Sequence, residues 1–198
     1  MSERATAPQE KLGEKAKVTS TIVRAYLAWT KDRWGDATER LEGHLDAPTA
    51  AILKSTVGPS RRILFRDLIT ISKGIAAAEG GDPEQVYREL GRHSARVNMA
   101  GAYEETPSPE EPHRFFGQMD HLHKTFQNFG QSHYTRTGDR SGRIQLEGYS
   151  EFSPVYCRSG LGYYEQALEM MKTPGPVKVV ESSCQCRGAE ACVFDLSW

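Results

Sequence analysis

The chain has 198 residues, of which 38% are hydrophobic and 26% are charged, and its formal net charge is −1 at pH 7. This length allows one sizeable hydrophobic core, or one core with a small helical attachment. A net charge close to zero gives no general attraction to nucleic acid or to an anionic membrane. Because no apolar run approaches the roughly 20 residues of a membrane-spanning helix, we expect neither a nucleic-acid partner nor a membrane span.

Residues 1–17 are polar, mixed in charge and without an apolar segment. This composition is not that of a secretory signal peptide, and it predicts a disordered tail. Without an export signal, we expect the protein in the cytoplasm, which is a reducing compartment. The four cysteines are therefore expected to be free thiols or metal ligands and not disulfides.

Apolar residues with helical spacing predict an N-terminal helical segment at residues 18–58. The first helix runs from Val18 to about Lys31, and two short helices follow, the second at Pro48–Lys54. Gly58-Pro59-Ser60 ends this segment, because glycine and proline interrupt regular structure.

Three stronger helical patterns follow. An apolar stripe from Arg61 predicts a long helix that stops at Gly80-Gly81. The pair Asp82-Pro83 is typical of a helix start, since aspartate caps free backbone N–H groups and proline fits the first turn. After an exposed, acidic and proline-containing connection at residues 104–112, an amphipathic helix is predicted from Phe115 to Phe129.

The apolar period then changes from helical to alternating. Residues 133–137 and 143–149 predict the two strands of a β-hairpin. A helix is predicted from Cys157 to Lys172, and two last strands at 177–181 and 192–196. The fold class is therefore α+β, with helices packed on an antiparallel sheet.

The four cysteines lie close to the last predicted strands. Glu181 and Cys184 end one strand, and Cys192 begins the strand that returns beside it. A turn at Gly188 would bring Cys184 and Cys192 together, and Cys157, at the start of the preceding helix, is a further soft ligand nearby. Thiolates select zinc over harder cations, so these residues suggest a closed tetrahedral zinc site.

The spacing of these residues leaves two questions open: whether they bind a metal at all, and what role Cys186 has. Free cysteines are often simply buried as small hydrophobic residues, and the pattern is not the paired C-x-x-C arrangement of common zinc sites. Cys186 either replaces Glu181 as the fourth ligand or points outward as an exposed thiol. Alternation along an extended segment places Cys184 and Cys186 on the same side, which does not decide between these possibilities.

The stretch from Glu181 to Phe194 resembles the signature that closes the 4-vinyl reductase domain family, in which Glu-x-x-Cys ends a strand and a second Cys opens the last strand. The helix start Cys157-Arg-Ser-Gly-Leu-Gly-Tyr163 is similar to a Cys-x-x-x-x-Gly-Tyr helix in the sensory domains of phenol-responsive bacterial transcription activators. In those domains a structural zinc ion is held by that Cys, the Glu and the two later Cys. The zinc ligands that the resemblance implies here are Cys157, Glu181, Cys184 and Cys192.

The resemblance covers residues 154–198 well and extends loosely back to about residue 59, which implies a ligand-binding domain at 59–198. It also implies a fold similar to that of haem nitric-oxide sensors and of trafficking-complex subunits. In the sensory relatives a pocket for a small aromatic molecule lies beside the metal. The candidate lining residues here are His123, Phe126, Tyr134 and Tyr149. The polar groups that bind phenol in those relatives have no secure counterpart in this sequence. We therefore do not expect specificity for phenol.

We do not expect an enzyme. A zinc ion with four protein ligands has no open position for water and is structural, and the sequence carries neither a Gly-rich phosphate loop nor a Gly-x-Ser-x-Gly element. Haem is not expected either, because Tyr134-Thr-Arg136-Thr does not match the Tyr-x-Ser-x-Arg element that holds its propionates in the haem sensors.

The sequence therefore predicts a regulatory or sensory domain that binds a small hydrophobic ligand and signals through a protein partner. A homodimer is expected, paired through the helix from Arg61 or through the opening helices with Trp29 and Trp34. The alternative is an interaction protein of the trafficking-subunit type without a small ligand. A reductase acting on a vinyl-bearing tetrapyrrole is a third, less favoured interpretation, because no cofactor-binding motif accompanies it.

Overall fold

A computed structural model describes residues 8–35, 38–54, 61–100, 111–173 and 175–198. The helices are α1 (Ser20–Trp34), α2 (Thr38–Glu42), α3 (Ala47–Lys54), α4 (Phe65–Glu79), α5 (Pro83–Met99), α6 (Glu111–Phe116), α7 (Met119–Phe126) and α8 (Pro154–Met170). The strands are β1 (Lys17–Thr19), β2 (Arg62–Leu64), β3 (Gln131–Gly138), β4 (Ser141–Glu147), β5 (Lys178–Ser183) and β6 (Cys192–Ser197). The connection predicted at Gly58-Pro59-Ser60 and most of the acidic stretch at 104–112 lie outside the described residues.

Four strands form an antiparallel sheet in the order β3-β4-β6-β5. Ile144 of β4 lies opposite Phe194 of β6, and both side chains are fully buried on the face that the helices cover. The α+β class, with helices packed on an antiparallel sheet, is confirmed. No described helix combines the length and apolar content that a membrane crossing requires.

One predicted helix start agrees with the structure, and two predicted helices differ from it. The start of α5 is as predicted, because the Asp82 side chain accepts a hydrogen bond from the Glu84 backbone N–H at 3.0 Å. The helix predicted from Arg61 begins only at Phe65, since residues 62–64 form β2 and pair with β1. The helix predicted at 115–129 is divided into α6 and α7 at Gly117, a residue type that weakens helix interiors.

One hydrophobic cluster runs through the described chain. It joins Tyr26 of α1 and Leu90 of α5 to Leu168 of α8 and Phe194 of β6. Helix α4 lies inside the same cluster, with Leu68, Ile71 and Ile75 fully buried there. The N-terminal helices therefore pack on the same core as the sheet.

Two glycines allow α5 and α8 to lie unusually close. A Cβ atom added to Gly91 would lie 1.8 Å from the Ser159 carbonyl oxygen, and one added to Gly162 would lie 1.9 Å from the Arg88 carbonyl oxygen. Real side chains do not tolerate such distances, so backbone contacts backbone at both points. This contact fixes the start of α8, and with it Cys157, against α5.

The disordered tail predicted at residues 1–17 is wrong for its second half. Residues 8–16, which we call the N-terminal strap, pair at Lys11 with Phe152 through two backbone hydrogen bonds. The buried Glu151 carboxylate accepts hydrogen bonds from the backbone N–H groups of Gly13, Lys15 and Ala16 at 2.8, 3.1 and 2.9 Å. A polar segment is thus held by an acceptor that lies more than 130 residues away, which local composition does not reveal.

Candidate functional site

The predicted metal ligands come from three neighbouring elements. Cys157 lies in the first turn of α8, Glu181 lies in β5, Cys184 follows the end of β5, and Cys192 opens β6. Between β5 and β6 the chain makes a short 3-10 turn that ends at Gly188, whose φ of 89° suits glycine. This hairpin folds back on itself, and its Cys184 and Cys192 side chains face the start of α8.

The three sulfur atoms form a nearly regular triangle. Cys157 Sγ lies 3.7 Å from Cys184 Sγ and 3.7 Å from Cys192 Sγ, and the last two are 3.9 Å apart. Zinc–sulfur bonds of about 2.3 Å in a tetrahedron place sulfurs about 3.8 Å apart, so the triangle has the size that a zinc ion requires. Disulfide sulfurs lie at about 2.0 Å, and all these cysteines are free.

A carboxylate completes the set of four. One oxygen of Glu181 and the three sulfurs all lie within 4.8 Å of one another. The Glu181 side chain is only 3% exposed, and its Oε1 has no hydrogen-bond partner among the described residues. Burial raises the pKa of this carboxyl group. A buried carboxylate oxygen without a protein partner is available to a cation.

Two arginines lie behind Glu181. Arg187 Nη1 donates to Glu181 Oε2 at 2.8 Å, and Arg158 Nη1 lies 3.8 Å from the same oxygen. With a divalent cation bound, three thiolates and one carboxylate would give the site a charge of −2, which the two guanidinium groups would offset. The neighbouring thiols donate hydrogen bonds that hold the pKa of Cys184 well below its ordinary value. The donor set and its charge balance fit zinc.

Cys186 is not exposed, so the alternative of an outward-facing thiol is wrong. It is 1% exposed, and its backbone carbonyl accepts a hydrogen bond from the Gln9 N–H of the N-terminal strap at 2.7 Å. The mutually close group contains Glu181 and not Cys186. The Cys186 thiol hydrogen-bonds with those of Cys157 and Cys184, so it lies beside the cluster and on the same side as Cys184, as alternation along the segment indicates.

A cavity of about 130 Å³ adjoins the sulfur cluster. Its walls come from α1, α5, α7, α8 and the sheet, and Cys157 and Cys192 belong to these walls as well as to the cluster. None of the described residues that line it is Asp, Glu, Lys or Arg. Its large apolar lining residues are Ile22, Met119, Leu122, Phe126, Leu146, Phe152 and Phe194.

Three of the four lining residues predicted from sequence lie at the cavity: His123, Phe126 and Tyr149. Tyr134 does not. Its ring stacks on Phe116, and its hydroxyl group lies 2.6 Å from His113 Nδ1. Tyr134 shares a strand face with Ser132, which does line the cavity, but two strand residues span about 7 Å, and this distance carries the ring beyond the cavity wall.

Sequence reasoning missed the wall that α1 and α5 contribute. Tyr26 of α1 and Ser94 of α5 both line the cavity, and Tyr26 reaches across to Ser159 of α8 with an O···O distance of 2.7 Å. A signal was present, because Ser94 falls on the buried face of α5, one turn after Leu90. A polar residue in such an apolar stripe is an informative exception to the burial of hydrophobic residues.

A polar network closes one side of the cavity. The Tyr149 hydroxyl group lies 2.7 Å from His123 Nε2 and accepts a hydrogen bond from Gln127 Nε2 at 2.7 Å. Tyr156 donates to Gln127 Oε1 at 2.6 Å. Burial lowers the pKa of His123 to about 4, so its imidazole is neutral at physiological pH. The cavity is therefore largely apolar and contains no charged side chain. The Nε2 atom of His123 is already hydrogen-bonded within the protein.

No family model and no curated protein matches the sequence. Solved structures do match the fold. A doubly substituted Tt H-NOX has a TM-score of 0.67 at 15% identity, covering 91% of this chain and 94% of its own. An H-NOX protein studied for heme distortion has a TM-score of 0.66 at 15% identity, covering 91% and 94%. The H-NOX protein from S. oneidensis in the Fe(II)NO ligation state has a TM-score of 0.66 at 12% identity, covering 90% and 98%.

These likenesses establish the fold class, which is that of the H-NOX domains. Haem is the cofactor that such a fold implies, but the described residues do not fit it. The volume of about 130 Å³ is close to the roughly 150 Å³ of an apolar cavity that holds a single benzene, whereas a porphyrin joins four five-membered rings in a much larger macrocycle. His123 Nε2 is engaged by Tyr149 and Gln127 and is not presented to an iron.

Proposed function

We propose that this protein is a non-enzymatic sensory or regulatory domain. It binds one small hydrophobic molecule in the cavity, a structural zinc ion holds the end of its chain together, and a protein partner receives the signal. The observation that carries the proposal is the apolar cavity of about 130 Å³ between the helices and the sheet. A protein that served only as an interaction surface would be expected to fill this volume with side chains.

The size and chemistry of the cavity select a ligand about as large as one six-membered ring. Its apolar walls favour such a ligand through the burial of nonpolar surface. The likeness to an H-NOX protein in the Fe(II)NO ligation state supports the capacity of this fold to hold a small molecule. That likeness supports a sensing role without supporting the same ligand.

The zinc ion would serve folding and not catalysis. Three thiolates and one carboxylate complete a tetrahedral shell, and a complete shell leaves no position for water or substrate. Because Cys157 and Cys192 also form the cavity wall, removal of the metal should loosen that wall and weaken ligand binding. The metal and the ligand would thus stabilise the same arrangement of α8 and the last hairpin.

The response must reach a partner, which we place in the reducing cytoplasm because the cluster requires reduced cysteines. A homodimer also stays a prediction. Two surfaces that were predicted to form it are not accessible to a second copy of the chain. The apolar face of α4 and the ring of Trp29 are buried in the core. A dimer would therefore form through another surface.

The proposal is tested with the full chain purified under reducing conditions. Native mass spectrometry is expected to show one zinc ion per chain, and calorimetry to show saturable binding of benzene. Gly160 lines the cavity, and its nearest neighbours across space lie 3.8 Å from an added Cβ. Gly160→Leu should fill the cavity and abolish benzene binding, whereas the matched control Gly160→Ala should retain it. Equal benzene binding in both variants, or none in the unaltered protein, would refute the proposed site.

A further inference from the structure

The N-terminal strap is bonded to the same two elements that the three clustered sulfurs join, which are the last hairpin and the start of α8. On the hairpin, the Gln9 backbone N–H donates to the Cys186 carbonyl oxygen at 2.7 Å. Just before α8, Lys11 and Phe152 exchange two backbone hydrogen bonds of 2.9 and 2.8 Å. The strap therefore forms a second bridge, beside the one that a metal ion in the cluster would form.

The turn that carries Cys186 takes its shape from two of the clustered cysteines. The Cys184 carbonyl oxygen accepts a hydrogen bond from the Arg187 N–H at 2.9 Å, and the Gln185 N–H donates to Cys192 Sγ at 3.2 Å. A metal-bound sulfur is a thiolate, which accepts such a bond more strongly than a neutral thiol does. A metal that holds both sulfurs would therefore fix the position of the Cys186 carbonyl oxygen.

The start of α8 connects the strap to the third sulfur. The Cys157 N–H donates to the Ser153 carbonyl oxygen at 3.3 Å. The Ser153 hydroxyl group in turn donates to one carboxylate oxygen of Glu10 in the strap, and Lys73 Nζ donates to the other at 2.6 Å. A movement of Cys157 away from the hairpin would therefore separate Ser153 from the strap.

The cluster holds the hairpin and α8 together much more strongly with a metal than without one. The three sulfurs lie 3.7 to 3.9 Å apart, and thiol groups are only weak hydrogen-bond donors and acceptors. Metal–ligand bonds supply a large part of the folding free energy in small metal-binding units. Strap and metal would stabilise the same arrangement of two elements, so each should favour the other, and such coupling acts in both directions.

Resting on the proposed zinc site, we infer that metal occupancy controls the attachment of the strap at residues 8–11. With the metal bound, these residues are held against the hairpin and α8, and without it they are released. Residues further along are held by contacts that do not include the cluster, since Ala16 donates to Glu151 at 2.9 Å and accepts from Phe65 at 2.8 Å. The metal thus regulates which surface the N-terminal part of the chain presents to a protein partner.

The first test compares amide hydrogen exchange in the full chain with zinc bound and after zinc is removed by a chelator. It is done under reducing conditions and below the unfolding temperature of the metal-free chain. Without zinc, exchange at Gln9 and Lys11 should be about tenfold faster, which is within the usual range of coupling between two sites. Exchange at Ala16 and at the buried Ile71 of α4 should stay slow.

The second test measures the coupling from the other side and needs no metal-free protein. Gln9→Pro removes the N–H group that donates to Cys186, so it should weaken zinc affinity about three- to tenfold, as the loss of one hydrogen bond allows. Gln9→Ala is the matched control, because it keeps this N–H group and should bind zinc as the unaltered protein does. Competition with a chromophoric chelator measures the affinity.

Three outcomes would overturn the inference while leaving the zinc site in place. Lys11 could exchange equally slowly with and without zinc, or Ile71 could accelerate together with Lys11, in which case zinc would hold the whole fold and not the strap. Equal zinc affinity of the two Gln9 variants would also contradict the coupling. If native mass spectrometry finds no zinc in the chain, the proposed zinc site fails together with the inference.

Discussion

Arg187 donates a hydrogen bond to only one of the two carboxylate oxygens of Glu181, at 2.8 Å. The other oxygen, Oε1, is buried without a partner among the described residues. The guanidinium group therefore holds the carboxylate in one orientation and leaves one oxygen available to a cation. Groups that orient a metal ligand in this way contribute strongly to metal affinity, although they do not touch the metal.

We predict that Arg187→Ala weakens zinc binding by about 10- to 100-fold, because such losses are typical when the partner of a metal ligand is removed. Competition with a chromophoric chelator measures the affinity. Arg143→Ala is the matched control, since Arg143 pairs with Asp195 on the same sheet at 2.7 Å and lies outside the cluster. Unchanged affinity in the Arg187 variant would show that Glu181 is not a ligand.

Cys192→Ser and Cys186→Ser should differ in metal content. Serine at position 192 removes one of the three clustered sulfurs, so the variant should lose its zinc and unfold at a much lower temperature, as chelation of the unaltered protein should also show. Serine at position 186 alters a buried residue outside the four-residue group, so one zinc per chain should remain. Elemental analysis and thermal unfolding measure the two effects. Loss of zinc from the Cys186 variant would mean that Cys186 and not Glu181 is the fourth ligand.

The sequence predicted the cluster well because most of its geometry is local. Glu181, Cys184 and Cys192 lie on one hairpin, and the pairing of β5 with β6 is enough to bring them together. Cys157 was added because it is a further soft ligand close by in sequence, and the family resemblance supported it; the structure places its sulfur with the other two. Whether the group binds zinc remains a prediction.

The cavity and the strap were harder to predict because they depend on contacts between distant parts of the chain. Ser94 and Ser132 become neighbours of one cavity only after α5 and the sheet have packed on α8. The strap is ordered by acceptors on Glu151, which no periodicity near residue 13 could indicate. Tyr134 was misplaced for a related reason, since alternation gives the face of a strand but not the distance along it.

The close approach of α5 and α8 predicts a large effect of adding a single methyl group. Gly91→Ala and Gly162→Ala would each place a Cβ within 2 Å of a backbone oxygen of the other helix. The helices must then separate, which should lower the free energy of unfolding by about 3 kcal/mol or more. Urea denaturation measures this change.

Gly160→Ala is the control for these two variants. It lies on the same helix, but its added Cβ meets other atoms only at 3.8 Å, and alanine favours helix over glycine by up to about 1 kcal/mol. This variant should be as stable as the unaltered protein or slightly more stable. A similar loss of stability in all three variants would contradict the idea that Gly91 and Gly162 are required for the close approach of the two helices.

Glu151 predicts a pH-dependent attachment of the N-terminal strap. Burial alone would raise the pKa of Glu151, but three backbone N–H donors lower it below its ordinary value. The carboxylate therefore stabilises the attached strap above the ordinary glutamate pKa of about 4.3, and this stabilisation is lost as the pH falls through the lower pKa of the folded state.

Glu151→Gln should mimic the acidic condition at neutral pH. An amide offers one acceptor oxygen in place of two charged ones, so attachment of the strap should weaken by about 2 kcal/mol. Amide hydrogen exchange at Gly13, Lys15 and Ala16 should then accelerate by about 30-fold, while exchange within α8 stays slow. Glu14→Gln is the control, because Glu14 lies in the same segment but forms an exposed pair with Arg66, and such pairs contribute little. Slow exchange of the strap in the Glu151 variant at pH 7 would contradict its role as the anchor.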